Sequence, residues 1–183
     1  MRRKSRANGQ VQYVQQSRVS ADYFRVLGIP PELGRSFTSV EDTPGGPPVT
    51  VLSYALWQRL FHGDPSVVGK ALTLRGEPFT VVGVMPRDFP MLTRADLWTP
   101  LRPSATGEGG GMNYSIVARL KPGITWAQGS SQLQVVAREA LPSLHVSKEI
   151  SVDFRLASLQ RGLTDNIRNS LTSAWIAALA VLL

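Results

Sequence analysis

The chain has 183 residues, 43% hydrophobic and 18% charged, a globular and not a disordered balance that suits one compact domain or two small lobes sharing a core. It has no cysteine, which excludes disulfide staples, thiolate metal sites and cysteine nucleophiles. Net charge is +7, but Arg2, Arg3, Lys4 and Arg6 supply four of the positive charges, and no later stretch interleaves basic with aromatic residues, so nucleic acid is not the expected partner.

In chain order, residues 1–10 read as a polar, basic N-terminal tail with a turn signal at Asn8-Gly9; with no apolar stretch, this is not a signal peptide. Val11 to Val19 is a strand. Ala21 to Leu27 is a short helix that Ser20 can cap, with Tyr23, Phe24 and Leu27 as its apolar stripe and Gly28 with Pro30-Pro31 as its stop. Residues 38–48 form a loop in which Glu41-Asp42 reads as a solvated acidic turn or helix-start charge. Val49 to Leu52 is a buried strand. Ser53 then caps a helix that puts Leu56, Trp57, Leu60 and Phe61 on one face, and Gly63-Asp64-Pro65 stops it.

Ala71 to Arg75 alternates, Gly76-Glu77 fits a two-residue turn, and Phe79 to Val84 returns as the second arm of a hairpin. Leu97-Trp98 is a short strand, 103–112 a flexible loop, and Tyr114 to Leu120 a further strand. Lys121-Pro122-Gly123 turns the chain, Thr125 and Gln128 fit a capping box, and the next helix presents Leu133, Val136, Ala140 and Leu141 on one face. Ile150 to Leu156 is the final strand. Thr164 to Leu183 reads as one helix whose last ten residues, from Ala174, are all apolar. That run is half of the ~20 apolar residues a membrane span needs. It is either a C-terminal core helix or a span that the chain end interrupts; its lack of any polar face favours the span.

Catalytic patterns are missing. Gly63 to Ala71 superficially resembles a phosphate-binding loop, but it has one residue too many between the glycines and Ala71 where magnesium needs a hydroxyl. His62 and His145 are far apart, so no metal is expected, and no serine-hydrolase elbow exists. Asn113-Tyr114-Ser115 is a formal glycosylation sequon, a pattern that commonly arises by chance. Tyr54, Trp57, Trp98 and Trp126 are candidates for a ligand groove, although core packing is the commoner use. The residues by themselves indicate a non-catalytic α+β domain beside a membrane, with no cofactor.

A collinear set of motifs adds a resemblance. Val19 to Gly28, Leu33-Gly34-Arg35-Ser36-Phe37, Val51 to Trp57, Phe61 to Pro65, Val68-Gly69-Lys70, Leu72-Thr73-Leu74, Val81 to Pro86, Asp96-Leu97-Trp98 and Arg119 to Gly123 together resemble the MacB-like periplasmic core domain of ABC-type permeases. They are similar in particular to the branch called acidobacterial duplicated orphan permeases. The resemblance covers residues 11–160. Its motif positions include Tyr23, Phe24, Gly28, Gly34, Arg35, Trp57, Gly69, Gly83, Pro86, Trp98, Pro122 and Gly123.

The resemblance implies an α+β fold in two lobes with mixed sheets and packed helices: a porter-like lobe, and a smaller inserted lobe at about 38–100. Residues 161–183 would be a juxtamembrane helix running into a truncated transmembrane segment. It further implies a domain on the periplasmic side of the bacterial inner membrane, relaying ATP-driven movement to export of a substrate. The implied partners are the lipid bilayer through the C-terminal segment, a cytoplasmic ABC ATPase subunit, and an adaptor or second permease copy. A first transmembrane helix and the domain's first strand and helix would precede Met1, leaving an exposed strand edge. The readings from other classes are a small soluble enzyme with no recognisable motif and a soluble basic binding module.

Overall fold

The computed structural model describes residues 2–7, 10–90, 94–104, 114–140 and 154–159, excluding the side chains of 2–7, 10, 11 and 140. The chain forms two compact units, Met1–Val117 and Ala118–Leu183.

The first unit is built on one mixed sheet. Its strands are β1 (Arg2–Ala7), β2 (Gln10–Val19), β3 (Leu33–Gly34), β4 (Val49–Leu52), β5 (Ala71–Leu74), β6 (Glu77–Val84) and β7 (Leu97–Pro100). Their order is β3-β6-β4-β7-β2-β1-β5, and β5 also pairs with β6, so six strands close on themselves. Strand β3 continues along the same edge of β6 beyond β5, pairing Leu33 with Val84 and Gly34 with Gly83. Pairing is parallel for β2 with β7 and for β4 with β6, and antiparallel elsewhere. Ladder bonds cross both ends of the 38–100 interval, because β5 pairs with β1 and β7 with β2.

The basic leader is a strand and not a tail. Ala7 pairs with Gln10, so β1 and β2 are joined by two residues, Asn8-Gly9, the sequence signature of a tight hairpin. Four basic residues in six mask the strand signal, since charge opposes burial but not backbone pairing.

Alternation along the strands divides the core between two faces. On one face Val14, Leu52, Leu72, Leu74, Val81, Val84 and Leu97 meet α2 (Tyr54–Phe61) through Leu56, Trp57, Leu60 and Phe61. On the other, Val19, Val49, Val51, Val82 and Trp98 meet Phe24 of α1 (Tyr23–Leu27), Phe37, Met85 and Phe89. A bulge places Thr50 opposite Val81 and Val51 opposite Gly83. The extra residue reverses the parity of β6, which is why Val81 and Val84 reach the same face.

Local chemistry accounts for the helix ends. Ser53 Oγ accepts from Leu56 N at 3.1 Å, a cap worth ~1 kcal/mol. Helix α1 ends at Gly28 in the left-handed region (φ 74°), with the Gly28 N–H donating to the carbonyls of Phe24 and Arg25. Its N-cap is Asp22 and not Ser20; Ser20 instead accepts from Tyr23 N through its carbonyl. The β5–β6 turn is Arg75-Gly76, one residue earlier than Gly76-Glu77. Leu74 pairs with Glu77 and both turn residues have positive φ (54° and 91°), as a primed turn requires.

In the second unit, α3 (Trp126–Ala140) begins with the expected capping box. Thr125 Oγ1 accepts from Gln128 N at 3.3 Å and Gln128 Oε1 accepts from Thr125 N at 2.9 Å. Its buried side runs through Gly129 and Ala137, while Val136 is 60% exposed, so the inward face is offset from the one the sequence suggested. Gly129 lets Leu120 and Leu156 come close: a Cβ there would lie 2.7 Å from Leu120 Cδ2. Residues 114–120 carry no regular secondary structure, and Ile116 is exposed, since a strand needs a ladder partner and none pairs with this segment among the described residues. The expected loop tip over 105–112, most of the strand from Ile150, and the apolar helix from Thr164 lie outside the described residues. Among the described residues, no helix is long and apolar enough to cross a membrane.

Candidate interaction surface

The motif positions are distributed by packing, not gathered at one reactive point. Tyr23, Phe24 and Trp98 do come together. The Phe24 ring lies 5.4 Å from Tyr23, 5.8 Å from Phe37, 5.7 Å from Phe89 and 5.6 Å from Trp98, mostly edge-on or tilted as ring quadrupoles prefer. Burial pushes the Tyr23 hydroxyl pKa up. Trp57 belongs to the opposite face and donates from Nε1 to the Asp64 carbonyl at 2.9 Å. Gly34 and Gly83 permit the β3–β6 contact: a Cβ on Gly34 would stand 2.2 Å from the Val82 carbonyl oxygen, and one on Gly83 2.5 Å from that of Arg35. Gly69 N–H donates to the Val81 carbonyl at 2.8 Å, and Pro122 and Gly123 form the turn before α3.

Two further features, a cleft and a charge cluster, stand out at the surface of the first unit. The first is an open cleft of about 290 Å³ between the start of α2 and the segment after β6. It is lined by Ser53, Tyr54, Gln58, Pro86, Arg87 and Phe89, among others. The Arg87 guanidinium carbon lies 6.0 Å from the Tyr54 ring centroid, a cation–π distance, and Tyr54 stacks edge-on against Trp57 at 5.5 Å. Arg87 is the one charged side chain lining the cleft among the described residues.

The second is a charge cluster that sequence reasoning missed. Glu41 is not a solvated acidic turn: it is 5% exposed and holds Arg35 through two bonds, at 2.7 and 2.9 Å, while accepting Thr38 N at 2.7 Å. Burial raises the Glu41 pKa, but the Arg35 and Thr38 bonds and the Arg35 charge outweigh it and hold the carboxyl below its ordinary range. The same bond raises the Arg35 pKa. Asp42 reaches further along the chain. One oxygen accepts Ala21 N and the other Arg102 N, both at 2.9 Å. Only the adjacent acidic pair signalled this in sequence; its partners lie 21 and 60 residues away.

The resemblance to a phosphate-binding loop disappears in structure. Asp64 occupies Lys70 Nζ at 2.7 Å and caps the 3-10 turn Pro65–Val67 through Ser66 N at 2.9 Å. These bonds, Lys70 foremost, lower the Asp64 pKa to about 2. His62 is the C-cap of α2, His145 and Asn113 lie outside the described residues, and Trp126 is half-exposed in the second unit. No group of three His, Asp or Glu side chains fit to hold a metal occurs among the described residues.

The sequence matches the profile of the MacB-like periplasmic core domain over residues 2–136. No curated protein matches it significantly. Among solved structures, the periplasmic region of MacB from Actinobacillus actinomycetemcomitans aligns with a TM-score of 0.58 at 20% identity, covering 94% of this chain and 72% of that one. A domain of a putative permease protein from Porphyromonas gingivalis aligns with a TM-score of 0.52 at 18% identity, covering 75% and 60%. The extracellular domain of the noncanonic ABC-type transporter YknZ from Gram-positive bacteria reaches 0.46 at 22% identity, covering 55% and 50%. The chain thus spans half of the YknZ domain and 60% of the Porphyromonas one. At these identities the likeness establishes the fold: mixed α and β with a mixed sheet and few helices.

Proposed function

The chain belongs to the MacB-like periplasmic core domain family, and from that premise we propose that it is the extracytoplasmic, non-catalytic domain of an ABC-type permease, relaying ATP-driven conformational change to the export of a substrate. The observation that carries this reading is the profile match over residues 2–136, and the MacB periplasmic region shares the fold. The Glu41–Asp42 cluster ties separated segments together, which suits a relay. In this reading the apolar run Ala174–Leu183 enters the bilayer as the start of a transmembrane helix, and a cytoplasmic ATPase subunit and an adaptor or second permease copy complete the machine.

The 183 residues hold no cysteine, so a thiol introduced among them is the domain's own. In the complete gene product, with the unsubstituted protein as the labelling blank, Glu77→Cys, at the exposed first residue of β6, places one thiol in the domain. A membrane-impermeant maleimide should label it in cells whose cytoplasmic membrane is intact. Labelling only after that membrane is permeabilised would overturn the assignment.

A further inference from the structure

Four hydrogen bonds converge on Arg102, the residue at which the chain has just left β7. Its backbone N–H donates to Asp42 Oδ1 at 2.9 Å, its Nε to the Glu41 carbonyl at 3.2 Å, and its Nη2 to the Pro47 carbonyl. Its own carbonyl accepts from Arg18 Nη2 at 3.2 Å, and the same Arg18 group donates to the Leu101 carbonyl. Arg102 meanwhile holds φ at 49°, in the left-handed region that side chains other than glycine disfavour. Such a conformation persists where its surroundings over-determine it. Once its bonds are lost, the extended basin is the lower one. A residue held this way has what a latch needs: a disfavoured state kept by its bonds.

What lies on each side of the latch differs in stiffness. Upstream, β7 is buried at all four positions and bonded to β2 on one edge and β4 on the other. Across the latch, residues 38–48 contain no helix or strand. That loop is tied to the rest of the unit by Arg35 on Glu41, Ala21 N on Asp42, Thr80 N on the Pro48 carbonyl where the loop meets the sheet, and Arg102 itself. A pull arriving along the chain after Arg102 meets a sheet that resists and a clamp that can let go.

We propose that Arg102 is a conformational latch: leaving its left-handed state frees the 38–48 loop while the sheet stays intact. Resting on the permease reading above, this converts tension in the downstream segment into a change at one surface loop.

Backbone amide exchange on the full chain tests the latch. Arg102→Val removes the guanidinium and disfavours positive φ; Arg102→Gly removes the guanidinium but keeps the left-handed state accessible. The Val variant should speed exchange about tenfold at Ala21 and Thr38, whose amides rest on Asp42 and Glu41, with the Gly variant between it and wild type. The amides of Val81 and Met85, bonded to Lys70 and Leu52 carbonyls, should keep their wild-type rates. Unchanged exchange at Ala21 and Thr38, or acceleration that includes Val81 and Met85, overturns the latch. In the complete permease with its ATPase subunit, ATP turnover should speed the same two amides. A response elsewhere in the domain but not there overturns the latch and leaves the permease reading standing. No response anywhere in the domain overturns that reading and the latch's role with it.

Discussion

Two loops of the first unit use one carboxylate each to accept from nearby backbone N–H groups and to hold a cation at 2.7 Å, yet they do different things. In the 63–70 loop, Asp64 caps Ser66 and pairs with Lys70, all within seven residues, and its side chain is 44% exposed. In the 38–48 loop, Glu41 caps Thr38 and pairs with Arg35, but it is buried, and its neighbour Asp42 ties down residues 21 and 102. The first arrangement closes a turn on itself. The second joins three separated segments, so losing it is felt beyond the loop. Burial and reach, and not the type of residue, decide the weight of a charge.

The largest way to break the contrast lies at Gly34, whose close approach to the Val82 carbonyl positions Arg35. Arg35 N donates to that same carbonyl at 2.8 Å. Gly34→Ala meets both a positive φ and a backbone clash, and chemical denaturation should show a loss of about 3 kcal/mol. Next comes Glu41→Gln, which removes the paired charge but leaves Arg35 able to be hydrated. The same measurement should read about 1–2 kcal/mol.

Acidification sharpens the comparison further. Glu41 ionises below its ordinary value of 4.5 when folded, so its contribution is fully present above that pH and is lost as pH falls through the lower folded value. Asp64 is also lowered, to about 2, but it is exposed and its pair is screened, so acid has little stability to remove there. In a series of urea midpoints from pH 6 downwards, Glu41→Gln should flatten the decline just below the ordinary carboxylate range, and Asp64→Asn should leave it in place. The smallest effect is that of Asp64→Asn at neutral pH. It should speed exchange of the Ser66 amide without moving the unfolding midpoint, because its pairs are exposed and screened by salt.

Features encoded within a few residues were legible before the structure. The Ser53 cap, the apolar face of α2, the Gly28 stop, the Thr125–Gln128 box and the β5–β6 hairpin each depend on spacings of two to eight residues. The hairpin turn was displaced by one residue because Arg75 adopts a positive φ that its side chain does not advertise. What depends on distant partners was not legible. The first strand hid under its charges, since β5, one of its two neighbours, enters some seventy residues later. The segment 114–120 has strand composition but no ladder to join. Of the second cluster, Arg35 stood out by resemblance alone. Glu41, Asp42 and Arg102 became a unit only when the loop folded back on the start of α1 and the end of β7.

The place of β7 in the sheet has a consequence for the order of events during biogenesis. It lies between β4 and β2, antiparallel to one and parallel to the other, and Asp96, just before it, accepts Gln15 N from 81 residues upstream. A chain delivered from its N-terminus can therefore zip β1 to β2, and later β5 to β6. Those two pairs can join through β1 and β5, but the ring of six strands cannot close until about residue 100 has emerged. Until then β2 and β4 wait with unfilled edges. The interval between the emergence of β2 and that of β7 is when this domain is most open to mispairing, and a pause or a holding partner in that window would protect it most.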